Sequence, residues 1–97
     1  MTNEVIKKGR TAGFSNAYAT NVLLSETDSD VRIYAFNEMI DNGTEKIAIS
    51  EGSIIMTYQA AMLLYEQLRE LMGKWETEGK QVEVSPQRRE ILERMKG

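Results

Sequence analysis

Between Thr57 and Glu78 the apolar residues Ala61, Leu64, Leu68, Leu71 and Trp75 recur at intervals of three, four, three and four. That spacing keeps them on one side of an α-helix, so the stretch TYQAAMLLYEQLRELMGKWETE is predicted to form one long amphipathic helix. Tyr65 and Met72 widen the stripe, while Met62 and Leu63 lie off it. Thr57 suits the N-cap and Gly79 the first position past the C-terminus. Gly73 is the weak point, costing about 1 kcal/mol against alanine inside a helix. At ~1.5 Å per residue the helix would span roughly 30 Å, the width of a small domain.

Ahead of this helix the pattern changes from helical to alternating. Residues 14–24, FSNAYATNVLL, set Tyr18, Thr20, Val22 and Leu24 on one side and Ala17, Ala19, Asn21 and Leu23 on the other, as in a strand. Residues 25–30, SETDSD, favour a turn. Residues 31–40, VRIYAFNEMI, form a second strand with apolar side chains on both faces, so both are expected to be at least partly covered. Asp41-Asn42-Gly43 is a hairpin signal, because Asn-Gly readily adopts positive φ. Residues 46–56, KIAISEGSIIM, make a third strand, interrupted at Glu51-Gly52 by a bulge or bend. The helix follows with no linker. Beyond Gly79, residues 80–84 are short and extended, and Ser85-Pro86 opens a charged helix over residues 86–95. Its apolar contacts are Ile91, Leu92 and Met95, too few to hold so short a helix alone, so it should dock or fray.

The expected fold is α+β: a three-stranded antiparallel sheet packed by one long helix, plus a short C-terminal helix, in the order β-β-β-α-α. Residues 1–13 form a flexible arm, 14–79 a single domain and 80–97 a mildly basic tail. Ninety-seven residues suffice for one domain with a small stability margin.

Composition removes much chemistry. The chain has no cysteine and no histidine, hence no disulfide, thiol nucleophile, thiolate metal site or imidazole base. Residues 1–79 carry 7 Lys/Arg against 12 Asp/Glu, and residues 80–97 carry 5 against 3. An acidic body argues against nucleic-acid binding there and leaves the tail as the candidate patch. The longest apolar run, residues 60–65, is too short to span a bilayer, and the N-terminal stretch lacks the apolar core of a secretory signal. A soluble, cytoplasmic protein is expected.

Glu26, Asp28 and Asp30 alternate around a turn and are of a type to hold calcium, but lack the glycine and distal glutamate of an EF-hand loop; a solvated turn is preferred. Glu66 and Glu70 lie one helical turn apart with no apolar pocket to shift a pKa, so a solvated face is preferred to acid–base catalysis. No catalytic residue, metal ligand or cofactor is assigned. Lys80, Arg88, Arg89, Arg94 and Lys96 are the candidate contacts to phosphate or a partner, helped by Lys7, Lys8 and Arg10. Glu83, Glu90 and Glu93 interleave with the tail cations and blunt their field, with Glu90 and Arg94 set for a helical pair.

The order of the pieces resembles a bacterial family of small proteins classed as domain of unknown function 3467. The resemblance covers roughly residues 13–79 and rests on Phe14-Ser15-Asn16, Thr57-Tyr58-Gln59, Ala61, Leu64, Leu68 and Lys74-Trp75-Glu76. Tyr58 stands where the family usually has proline, Gly73 sits late in the helix, and the basic tail is extra. The resemblance implies the fold and brings no activity and no functional residues with it.

One sheet and one helix make two layers, which leaves an apolar outer sheet face and open strand edges. Exposed apolar surface of that kind marks an interface. The leading expectation is a non-enzymatic module that self-associates, with a dimer favoured as the commonest symmetry, and binds an unidentified protein partner. Ala61, Leu64, Tyr65, Leu68, Leu71, Met72 and Trp75 are the expected core and interface. The alternative is a small regulator that contacts nucleic acid through its tail and N-terminal arm.

Overall fold

A computed structural model describes residues 4–41 and 43–96. Residues 1–3 of the expected arm, Asn42 of the hairpin signal and Gly97 lie outside the described residues. The elements are β1 (Asn21–Glu26), β2 (Val31–Asp41), β3 (Lys46–Met56), α1 (Tyr58–Thr77) and α2 (Pro86–Lys96). The architecture is α+β, with an antiparallel sheet in the order β1-β2-β3 and two helices.

The register assigns the two faces of the sheet. Val22 pairs with Ala35, Leu24 with Ile33, and Glu26 with Val31; on the other side of β2, Ile33 pairs with Ile54 and Val31 with Met56. Directly paired residues share a face, so Val22, Leu24, Val31, Ile33, Ala35, Ile54 and Met56 form one apolar face. The opposite face carries Asn21, Leu23, Arg32, Tyr34, Phe36 and Ser53 and is mixed in character.

Two departures from regular pairing bend the sheet. Ala35 faces Gly52 but Phe36 faces Ser50, which leaves Glu51 as an extra residue on β3 at the expected break. Phe36 faces Ser50 and Glu38 faces Ile49, leaving Asn37 extra on β2. Each bulge kinks its strand and tightens the local twist. The long β2–β3 hairpin therefore bends where its registers shift, at the interruption expected in the third strand. Gly43 closes the hairpin loop at φ +88° and donates its N–H to Asp41 Oδ1 at 2.9 Å, the side-chain turn that Asp favours.

The first strand is shorter than expected. Alternation suggested residues 14–24, but the ladder begins at Asn21, with Thr20 N–H donating to Phe36 O at 3.0 Å just before it. Among the described residues no strand pairs with residues 14–19, and the β1–β2 ladder ends at Phe36, where the bulges of the β2–β3 pair lie.

Both helices start and stop where their chemistry indicates. Thr57 Oγ1 accepts from Ala60 N–H at 3.0 Å as N-cap of α1. At the other end Gly79 sits at φ +74°, Gly79 N–H donates to Glu76 O at 3.1 Å, and Lys80 N–H donates to Trp75 O at 2.8 Å. These are the two bonds of a Schellman cap. Ser85 Oγ accepts from Arg88 N–H at 3.2 Å, capping α2 with Pro86 in its first turn.

The packing departs from the expectation in one decisive respect. α1 is not packed on the sheet; the element packed on a strand is α2, against β1. No described residue is buried, and α1 contains no buried side chain. Ala61, Leu64, Tyr65, Leu68, Leu71, Met72 and Trp75 are therefore not a core within the chain: three are half-buried and Leu68 and Leu71 remain 42% exposed. The reason is the connection. Met56 ends β3 and Tyr58 begins α1, so one residue joins them, where strand-to-helix loops usually need about 2–6 to fold the helix back. The molecule is accordingly long, 61 × 37 × 29 Å with a radius of gyration of 17.0 Å. A compact chain of this length would have a radius near 12.5 Å.

Candidate interaction surface

The turn between β1 and β2 anchors the start of α1. Thr27 Oγ1 donates to Asp30 Oδ1 at 2.9 Å and accepts from the N–H groups of Ser29 and Asp30 at 3.2 and 3.1 Å. Thr27 N–H donates to Asp30 O at 2.9 Å, and Arg32 Nε donates to Asp30 Oδ1 at 3.1 Å. Bonds from Arg32 first and Thr27 second hold the Asp30 carboxyl below its ordinary pKa. The Arg32 guanidinium is pushed up mainly by the same contact. Tyr58 OH donates to the carbonyl of Thr27, tying the first turn of α1 to this loop. Of the acidic trio weighed as a cation site, Asp30 is thus committed to Thr27 and Arg32, and no cluster of three or more candidate ligands occurs among the described residues.

From that anchor α1 carries its stripe clear of the sheet. Leu68 and Leu71 lie open midway along it, flanked by Tyr65 and Met72. At its far end Lys80 Nζ stands 5.1 Å from the centre of the Trp75 ring, so the turn that caps the helix also shields its last aromatic residue. The apolar sheet face is also open at its edges, where Leu24 is 65% and Ile54 61% exposed, while Val31, Ile33, Ala35 and Met56 are half-buried. Among the described residues no strand lies beside the outer edge of β3. Two extended apolar surfaces thus coexist on one chain, and α1 is not packed on the sheet.

The mixed face is served by α2. Arg88 Nη1 donates to Thr20 O at 2.9 Å and pins the first turn of the helix at the start of β1. Ile91, Leu92 and Met95 are half-buried. Ile91 and Met95 meet Leu23, Phe36, Met39 and Ala48 around an open cleft of about 730 Å³ between α2 and the far part of the hairpin. Sequence reading missed this cleft. Its only signal was the i, i+4 pair of Ile91 and Met95 in an otherwise charged segment, with nothing to say which strand it met.

Four of the five candidate phosphate contacts in the tail have partners within the chain. Lys80 lies over Trp75, Arg88 is bonded to Thr20, Arg94 pairs with Glu90 at 3.5 Å and Lys96 with Glu93 at 3.4 Å. Arg89 is exposed on α2. At the end of the arm the Arg10 guanidinium lies 4.3 Å from the Phe14 ring centre, and Val5 and Ile6 are exposed. Glu66 and Glu70 are exposed on α1. Among the described residues no helix is long and apolar enough to cross a membrane. No protein-family model, no curated protein and no solved structure matches the chain.

Proposed function

We propose that the protein is a non-enzymatic, self-associating interaction module whose hydrophobic core is completed between copies of the chain. The observation that carries this reading is the absence of any buried side chain among the described residues, combined with an uncovered apolar sheet face and an uncovered apolar helix stripe. A domain with no enclosed core has little to set against the entropy of ordering its backbone. Association supplies the missing burial. The cleft between α2 and the hairpin stays outward in such an assembly and is the surface left for a further protein partner. Membership of the bacterial family that residues 13–79 resemble belongs to the same proposal.

The nucleic-acid reading has less support. Four of the five tail cations already have partners within the chain, and the acidic body would repel a phosphate backbone.

Light scattering on the full chain tests the proposal: a mass of twice 11.0 kDa or a higher multiple is expected. Leu68→Asp places a charge in the proposed interface, and its expected result is monomer or unfolded chain. A wild-type monomer that unfolds cooperatively, or a Leu68→Asp chain of unchanged mass and stability, would overturn it.

A further inference from the structure

Resting on the proposal of self-association, we infer that the occupant of the apolar sheet face is α1 of a second copy, exchanged reciprocally, so that each chain's long helix roofs its partner's sheet. Three observations lead there. The first is covalent. A single residue, Thr57, joins the last residue of β3 to the first turn of α1, and Tyr58 is bonded back to the carbonyl of Thr27. The helix is therefore launched away from its own sheet and held there, so its own face stays open.

The second observation is a match of shape and chemistry. Strands at ~4.8 Å spacing give the three-stranded part of the sheet a width of roughly 10–14 Å, and one helix is about 10 Å across. The face is made of Val22, Leu24, Val31, Ile33, Ala35 and Ile54, with Glu26 at one corner. The stripe it would receive is Ala61, Leu64, Leu68, Leu71 and Trp75, with no charged residue along it. Pairing two stripes as a coiled coil would cover the helices and leave both sheet faces in water. Reciprocal exchange covers all four surfaces with one kind of contact, repeated by a two-fold axis.

The third is area. The chain exposes 8993 Å². A compact monomer of 11.0 kDa exposes about 5,600 Å². The open N-terminal arm accounts for part of the excess of about 3,400 Å² per chain, and what remains, summed over two chains, is of the order buried by obligate dimers, roughly 2,000–5,000 Å² in total.

The chain has no cysteine, so introduced thiols report without background. Leu24→Cys and Leu68→Cys are made singly and together, and Ile54→Cys and Leu71→Cys likewise, in the full chain. Each is treated with a short bismaleimide and run on a denaturing gel, with its mass in solution checked by light scattering beforehand. Exchange predicts a covalent dimer from at least one double variant, while the corresponding single variants run as single chains. A covalent dimer from Leu68→Cys or Leu71→Cys alone would show helix pairing with helix and overturn the inference while leaving self-association standing. A double variant linked only within one chain would show the helix folded back in cis, which also overturns it. A dimer in solution in which neither double variant links across chains overturns it as well. A monomer in solution overturns both the exchange and the self-association it rests on.

Discussion

At the scale of single residues, Asp30 shows how a turn of polar side chains gains a definite geometry. Its carboxylate receives Arg32 and the Thr27 hydroxyl, and its pKa is lowered for that reason. A lowered folded pKa means that the unfolded chain binds more protons across that interval. The contribution of Asp30 is therefore present above the ordinary carboxylate range and lost as pH falls through the folded value. Asp30→Asn is expected to flatten the acid limb of the stability curve measured by denaturant titration at several pH values, and an unchanged acid limb would contradict this. Gly73 makes the opposite kind of prediction. A methyl group added there meets nothing within 4 Å, and its φ is not positive. It lies five residues after Leu68, on the side of α1 away from the stripe. Gly73→Ala should raise stability by about 1 kcal/mol and raise the melting temperature. A loss instead would place that side of the helix in a packed contact.

At the scale of elements, the helix with the stronger apolar pattern is not the one that packs on the sheet. The strongly patterned α1 lies free, while the weakly patterned α2 covers a strand through Ile91 and Met95. Pattern reports how much apolar surface an element offers, and the connection decides where that surface can go. α2 follows eight irregular residues and can return to β1, whereas α1 follows one and cannot turn back onto β3. Ile91→Ala should cost about 1–2 kcal/mol, below the 2–5 of a fully enclosed site because Ile91 is only half-buried. It should also speed tryptic cleavage after Arg88 and Arg89, since release of α2 exposes that backbone. Unaltered proteolysis would mean that α2 is held mainly by Arg88 on Thr20.

At the scale of the whole molecule, stability and assembly become one quantity. If the core is shared between copies, the unfolding midpoint must depend on protein concentration. A hundredfold dilution should remove about 2.7 kcal/mol per dimer, a shift of several degrees in a thermal scan. A midpoint independent of concentration would count against a shared core.

Much of the local design was legible in the sequence. The Thr57 and Ser85 caps, the Gly79 terminus, the Glu51-Gly52 break and the Asp41-to-Gly43 turn each depend on a few neighbouring residues whose backbone preferences act at short range. The apolar stripe of α1 and the alternation in β2 were equally plain, because periodicity is a property of the chain alone. Residues 14–19 were misjudged because alternation shows that a segment can pair, while a strand exists only where a neighbour supplies its hydrogen bonds. Tertiary structure alone decided which face of β2 lies open, which helix covers the sheet and that Arg88 meets the carbonyl of Thr20. These outcomes depend on contacts between residues far apart in the chain, and no local pattern encodes the length and direction of the path between them.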